Sequence, residues 1–114
     1  MGEKFPGVRV DPAQWSIKEW KQVATVWTNA SRLLCPTPCF LLSMNVAGYR
    51  NDNGELMLYD AHGAIGSEKY HIRVMSTDSK FIDFTVPVYF SKAMYVNLVN
   101  KIDCVTIQYL PWNP

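Results

Sequence analysis

One stretch of the sequence constrains the fold more than any other: an apolar stripe that recurs every three or four residues over residues 17–34. Apolar residues at this spacing, with polar residues between them, are typical of an amphipathic helix that packs one side against a core. The stripe therefore predicts a single helix with its tryptophans in the core. Its members are Ile17, Trp20, Val23, Ala24, Trp27, Ala30 and Leu34.

Capping residues set the expected ends of this helix. Asp11 can cap a helix through its carboxylate, and Pro12 suits the first helical position, where its missing amide hydrogen would be unpaired anyway. Pro36 and Pro38 cannot continue a helix and so end it. A helix that begins at Pro12 and ends at Leu34 would be roughly 34 Å long at 1.5 Å per residue, so it needs a wide sheet to cover it.

The sequence after these prolines alternates apolar and polar residues in short segments, a pattern typical of half-buried strands. Asn51 to Gly54 tolerate positive φ, so the first two strands are expected to pair as a hairpin. Pro87 cannot donate to a ladder, so its strand should lie at an edge or contain a bulge. Strands are predicted over residues 39–49, 55–61, 70–75, 81–90 and 104–110.

A second, shorter helix is predicted over residues 91–101, because Ser91 can cap it and apolar residues follow at helical spacing. The expected fold class is α+β: a long N-terminal amphipathic helix packed on one face of a four- to five-stranded, mainly antiparallel sheet. Since the chain has 114 residues, 48% of them hydrophobic, we expect a single domain over 1–114. Residues 1–10 form an N-terminal arm and 111–114 an irregular tail.

The charge balance and the cysteines restrict the classes of function. The chain has 11 Lys and Arg against 10 Asp and Glu, with no charged half, which argues mildly against a protein that grips duplex DNA. No apolar run resembles a secretion signal or a membrane span, so an intracellular, cytoplasmic protein with reduced thiols is expected.

No constellation in the sequence predicts catalysis, a metal or a cofactor. Cys35 and Cys39 flank a proline-rich segment, but zinc would need two further ligands at conventional spacing. A thiolate paired with His62 or His71 would activate either cysteine, yet the sequence does not bring them together. We therefore predict no catalytic residues, no metal ligands and no cofactor, and two cysteines without an assigned role beyond packing.

Aromatic residues carry the main functional hypothesis. They make up 13% of the chain and include four tryptophans, and such residues dominate contacts between proteins. Trp15, Trp112 and Tyr109 are the predicted protein-binding residues, although Trp112 could also fold back to cover the end of the sheet. The leading hypothesis is a non-enzymatic interaction module that binds a protein through exposed aromatics or a sheet edge, with self-association into a homo-oligomer as one form of it.

Two alternatives remain open at this point. Aromatic and basic residues interleave over the third and fourth predicted strands, and a sheet face with such residues can bind single-stranded DNA or RNA by stacking bases and contacting phosphates. A small Cys/His-dependent enzyme is the second alternative. The residues of the nucleic-acid alternative are Tyr70, Arg73, Lys80, Phe81 and Tyr89.

Overall fold

The described part of the chain is built from strands. A computed structural model describes residues 22–48, 53–74 and 79–112, and within them it contains no helix. The strands are β1 (Ala24–Thr28), β2 (Arg32–Cys35), β3 (Cys39–Gly48), β4 (Gly54–Tyr59), β5 (Tyr70–Val74), β6 (Ser79–Phe90), β7 (Met94–Asn100) and β8 (Ile102–Pro111).

These strands form two four-stranded antiparallel sheets. Sheet A has the order β1-β8-β3-β6, and sheet B has the order β2-β7-β4-β5. Only the step from β4 to β5 stays within one sheet, whereas every other connection crosses to the opposite sheet. Eight strands connected in this way form a jelly roll, a sandwich made of two Greek keys.

Alternation along the strands builds the core between the sheets. In β8, for example, Val105 and Ile107 are fully buried, while Thr106 and Gln108 lie on the other face. Since a strand projects successive side chains to opposite faces, this pattern gives sheet A an inner and an outer face. The largest fully buried side chains include Leu41, Met44, Leu56, Leu58, Phe90, Met94 and Ile107.

The expected α+β class is wrong: the described residues form two four-stranded sheets, not one sheet of four or five strands covered by a helix, and the long helix is the main error. Within residues 22–34 the chain forms β1 and most of β2, joined by a turn in which the Thr28 hydroxyl donates to the Ala30 carbonyl. Trp27, expected in the core, has 57% of its surface exposed. Residues 11–21 of the predicted helix, with Trp20, lie outside the described residues.

The second predicted helix is also wrong, because residues 94–100 form β7. Ser91 does not cap a helix; its amide and hydroxyl both donate to the Asp60 carboxylate, 2.9 Å away in each case. The apolar residues of this segment satisfy a two-residue period as well, since Met94, Val96 and Leu98 all pack in the core.

The strands predicted after residue 38 are confirmed, but one pairing is wrong. β3 and β4 were expected to form a hairpin, yet β3 pairs with β6 and β8, while β4 pairs with β5 and β7. The inference from Pro87 is confirmed: β6 is an edge strand, and its register against β3 shifts between Leu41 and Ser43, next to this proline.

The segment after β8 packs back onto the sandwich. Pro111, assigned to the irregular tail, is the last residue of β8. The Trp112 amide donates to the Pro38 carbonyl at 2.8 Å, and its ring meets Phe40 edge-on with centroids 5.7 Å apart. Residues 113–114 lie outside the described residues.

Candidate interaction face

The outer face of sheet A carries two exposed aromatic side chains in one line across its four strands. Trp27 on β1 pairs with Thr106 on β8, Thr106 pairs with Asn45 on β3, and Asn45 pairs with Phe81 on β6. We call these four residues the aromatic row. Trp27 is 57% exposed and Phe81 67%, so both large apolar side chains face solvent on the same side of one sheet.

A second line of residues, the polar row, lies beside it. It consists of Thr25, Gln108, Ser43 and Asp83, again one residue from each strand. The Ser43 hydroxyl donates to Gln108 Oε1 at 3.0 Å, and the Gln108 amide donates to Thr25 Oγ1 at 3.4 Å. Because these polar groups already bond one another, covering them would leave few unpaired donors or acceptors.

The far end of the same face is apolar. Phe40, Leu42 and Leu110 form a cluster separate from the core between the sheets. Tyr89 and Trp112 pack against it from the side, and the Phe40 and Tyr89 rings lie 5.1 Å apart. Tyr89 and Trp112 are only half-buried, so they extend the apolar surface beyond the polar row.

Charge is nearly absent from the two rows. Among their eight residues, all of them described, Asp83 is the one charged side chain, and it stands on the edge strand β6. Depletion of charge together with exposed aromatics distinguishes the centre of protein interfaces from ordinary surface. The outer face of sheet A therefore has the composition of a protein-binding surface.

The residues predicted to bind a protein are not members of the two rows, as far as the structure describes them. Trp15 is outside the described residues, and Trp112 packs on Phe40 at the apolar end of the outer face. Tyr109 is buried between the sheets, where its hydroxyl donates to the Leu34 carbonyl at 3.0 Å. A partner would reach Tyr109 only after a change of conformation, so its role in binding stays a prediction.

Trp27 is the surface residue that sequence reasoning missed, because it fits the helical stripe. A signal for it was present: Ala24, Val26 and Thr28 alternate with Thr25 and Trp27, and β-branched and aromatic residues favour strands. Read with a two-residue period, the segment places Trp27 opposite the core-facing residues. Phe81 was identified, but as a base-stacking residue.

Three of the five residues assigned to nucleic-acid binding line one groove. Tyr70 and Arg73 on β5 and Lys80 on β6 line one groove of about 400 Å³ between these two strands, which belong to opposite sheets. Phe81 and Tyr89 lie on the outer face of sheet A and do not share it. The structure thus divides the predicted set into two separate surfaces.

Carboxylates surround this groove and weaken its attraction for anions. Arg73 Nε lies 3.7 Å from Glu55 Oε2, and the same oxygen contacts His71 Nε2. Glu68 Oε2 lies 4.0 Å from the other ring nitrogen of His71. Arg73 is therefore partly neutralised, and Tyr70 already packs edge-on against Phe84 with centroids 5.2 Å apart.

The thiols and imidazoles that an enzyme would need have other partners. Cys35 Sγ donates to the Thr37 carbonyl at 3.4 Å, and His62 Nε2 contacts the Pro36 carbonyl oxygen at 3.1 Å. Burial, and then the neighbouring Cys35, raises the pKa of the Cys39 thiol far above its usual range. Cys39 therefore stays protonated, which makes it a poor nucleophile.

Two further properties concern the described residues alone. Within residues 22–48, 53–74 and 79–112, no three His, Cys, Asp or Glu side chains come together as a set of metal ligands. In the same part of the chain, no helix has the length and apolar character needed to cross a membrane.

Comparison with known proteins gives one structural likeness. No protein-family model matches the chain, and no curated protein sequence matches it either. Among solved structures, the chain is similar to the coat protein of Tobacco streak virus, with 11% identity over 87% of this chain and 95% of the coat protein. The TM-score is 0.33, at which the likeness implies nothing about what this chain binds.

Proposed function

We propose that this protein is a non-enzymatic interaction module that binds a protein partner through the outer face of sheet A. The single observation that carries the proposal is the exposure of Trp27 and Phe81 in one row of a rigid sheet with almost no charge. Aromatic side chains fixed on a scaffold lose little entropy on binding and give large contact areas.

The surroundings of the two aromatics support this proposal. Thr106 and Asn45, which lie between them, carry no charge, and the polar row beside them is bonded internally through Gln108. A partner that covers this face therefore displaces water mainly from apolar and already paired groups. Such a surface contributes favourable binding free energy without a matching set of charges on the partner.

Photo-crosslinking in cells tests the proposal with a matched control. Phe81→p-benzoylphenylalanine places a photoreactive group on the outer face, and Ile65→p-benzoylphenylalanine places it on the loop between β4 and β5. Ile65 is 68% exposed and Phe81 67%, so both probes meet solvent equally. We expect discrete crosslinked products from the Phe81 probe and only diffuse background from the Ile65 probe.

A second substitution tests the role of the neighbouring tryptophan. Trp27→Ala, added to the Phe81 probe, should reduce the crosslinked product by about fivefold or more, because truncating an aromatic hot-spot residue in an interface costs more than about 1 kcal/mol. Trp27 lies on an edge strand and is exposed, so the domain should keep its fold. Equal products from the Phe81 and Ile65 probes would refute the proposed interaction face.

A single-stranded nucleic acid is the second candidate ligand, favoured by the shared groove of Tyr70, Arg73 and Lys80. Two phosphate contacts to a single strand predict that affinity falls about sevenfold between roughly 50 and 200 mM salt. Fluorescence polarisation of a labelled oligonucleotide would measure this, and Arg73→Ala should halve the salt dependence. Binding that is absent at low salt, or indifferent to salt, would contradict this candidate.

A further inference from the structure

We propose that the protein partner is a second copy of this chain, with the two outer faces of sheet A stacked about a two-fold axis. The axis lies in the interface, parallel to the strands and midway between β8 and β3. This inference rests on the proposed interaction face and names its occupant. It follows from the order of residues across the rows, which is complementary to itself under that rotation.

The aromatic row shows the complementarity directly. The rotation exchanges β8 with β3 and the edge strand β1 with the edge strand β6. Trp27 of one copy then meets the partner's Phe81, and Thr106 meets the partner's Asn45. Each copy contributes both contacts, so two aromatic pairs enclose a small polar centre. Offset or edge-on aromatic pairs of this kind are favourable beyond the area that they bury.

The polar row fits the same rotation and pairs its one charge. Asp83 of one copy comes opposite the partner's Thr25. Thr25 Oγ1 accepts a hydrogen bond from the Gln108 side chain, which leaves its own hydroxyl hydrogen free to donate. The Thr25 hydroxyl of one copy can donate this hydrogen to the Asp83 carboxylate of the other. The one charged side chain of the two rows therefore gains a hydrogen-bond donor when the faces stack. Gln108 meets the partner's Ser43 at the centre of this row.

The flanking rows complete the face. On one side Phe40 and Leu110 are already buried within one copy, where Tyr89 and Trp112 pack against them, so this end presents the half-buried rings of Tyr89 and Trp112 to the other copy. On the other side Cys104 pairs with Ala47, and the rotation brings the small side chain of Cys104 opposite the Ala47 side chain of the other copy. Within the aromatic row and the polar row, polar positions therefore face polar positions and aromatic side chains face aromatic side chains.

The area of the face sets the expected strength. Four strands about 4.8 Å apart and the three uncovered rows about 6.8 Å apart give roughly 19 by 20 Å, or about 400 Å² per copy. Two copies then bury about 800 Å², which is the size of a weak, transient interface rather than of a permanent one. We therefore expect a reversible dimer whose population depends on concentration in the micromolar range.

Pairing of two copies through the edge strands of sheet A is less favourable than stacking of the outer faces. β6 has a register shift beside Pro87, which has no amide hydrogen, and β1 has only five residues. Bulges, prolines and short strands are features that prevent edge strands from adding to another sheet. The broad outer face remains the surface through which sheet A can meet a copy of itself.

Analytical ultracentrifugation of the full chain tests the proposal. Protein concentrations of about 1–200 µM cover the range in which a weak specific dimer forms. The expected species changes from 13.0 kDa to twice that mass as concentration rises. Thr106→Lys and Asn45→Asp each place an unpaired charge at the centre of the stacked faces and should each weaken the dimer at least about tenfold. Both side chains lie on the outside, so each variant should fold.

Mixing the two variants tests the geometry itself. In a mixed dimer the Thr106→Lys position of one copy faces the Asn45→Asp position of the other, so an equimolar mixture should recover most of the lost association. Val99→Lys is the matched control, since Val99 is exposed on β7 of sheet B and should leave association unchanged. A mixture no stronger than the separate variants would rule out this axis.

The outcomes separate this inference from the proposed function. If the chain stays monomeric at every concentration while the Phe81 probe still crosslinks to another protein, the second copy is wrong and the interaction face stands. If the Phe81 and Ile65 probes behave alike, the face itself is wrong. A dimer that Val99→Lys disrupts, and that Thr106→Lys does not, would place the contact between copies on sheet B and refute the stacked dimer.

Discussion

Gly54 shows how closely two connections of the sandwich approach each other. A Cβ atom on Gly54 would lie 2.5 Å from the Lys101 carbonyl oxygen and 2.6 Å from Ile102 Cδ1. Lys101 is the single residue between β7 and β8, and its φ of 46° lies in the left-handed region. The backbone at this contact has little freedom to move away, so only glycine fits at position 54.

Gly54→Ala should therefore lower the free energy of unfolding by about 1–3 kcal/mol, the usual cost of overpacking a tight contact. Urea unfolding followed by intrinsic fluorescence would measure the change. Gly63→Ala is the control, because a Cβ there meets no atom within 4 Å and the residue lacks a positive φ. If both variants unfold at the same urea concentration, the close approach at Gly54 is not present in solution.

Among the connections between elements, the β6–β7 turn depends on a carboxylate from a distant part of the chain. Asp60 follows β4, and its two oxygens accept hydrogen bonds from the amides of Ser91, Lys92 and Ala93 and from the Ser91 hydroxyl. Partial burial raises the pKa of Asp60, but these bonds outweigh it and hold the pKa below the ordinary value of 3.8.

Asp60→Asn should destabilise the protein by about 1–2 kcal/mol near neutral pH, because an amide cannot accept all of these bonds. Since the folded-state pKa is depressed, the contribution is present above the ordinary carboxyl pKa and is lost as the pH falls through the folded-state value. The stability difference between wild type and variant should accordingly shrink below about pH 4. A difference that stays constant from neutral pH to acid would contradict this role.

The elements also show which parts of the fold the sequence could predict. Segments in which apolar residues alternate with polar ones, as in β5 and β6, were identified with nearly the observed ends. Trp27 and Leu98 lie in segments whose apolar spacing satisfies both a helical and a two-residue period, and there the helix was chosen wrongly. Contacts with distant residues decide between helix and strand in these segments. β1 pairs with β8, and Asp60 binds the β6–β7 turn, and neither partner leaves a signal in the local sequence.

The candidate interaction face was predictable only in kind. The abundance of aromatic residues pointed to protein binding, and Phe81 was identified as an accessible aromatic. Its alignment with Trp27 depends on the strand order of sheet A, which brings residues 27, 106, 45 and 81 into one row. Strand order follows from long-range pairing, so no local pattern could have assembled these residues.

Across the whole molecule, the two sheets are held together by their shared core and by a hydrogen bond that crosses it. The hydroxyl of Tyr109, on sheet A, donates to the carbonyl of Leu34, on sheet B, at 3.0 Å in buried surroundings. Burial is the main cause that raises the pKa of Tyr109 above 10.0, so the phenol keeps the proton that it donates.

Tyr109→Phe should lower the free energy of unfolding by about 1–2 kcal/mol, because it leaves a buried carbonyl without this donor while keeping the ring in place. Thermal unfolding followed by circular dichroism would measure the loss. Tyr95→Phe provides a comparison, since Tyr95 is only half-buried on β7. Equal stability of the Tyr109 variant and wild type would show that water replaces the lost bond.

The place of β8 in sheet A has a consequence for how the chain acquires its structure during synthesis. The strand that lies between β1 and β3 is the last one in the described sequence, and Ala24 finds its partner only at Tyr109. Until β8 has left the ribosome, β1 and β3 have no common neighbour, and their apolar sides stay accessible to other chains. Nascent copies are therefore most vulnerable to misassembly before β8 emerges, and closure of sheet A by β8 removes that exposure.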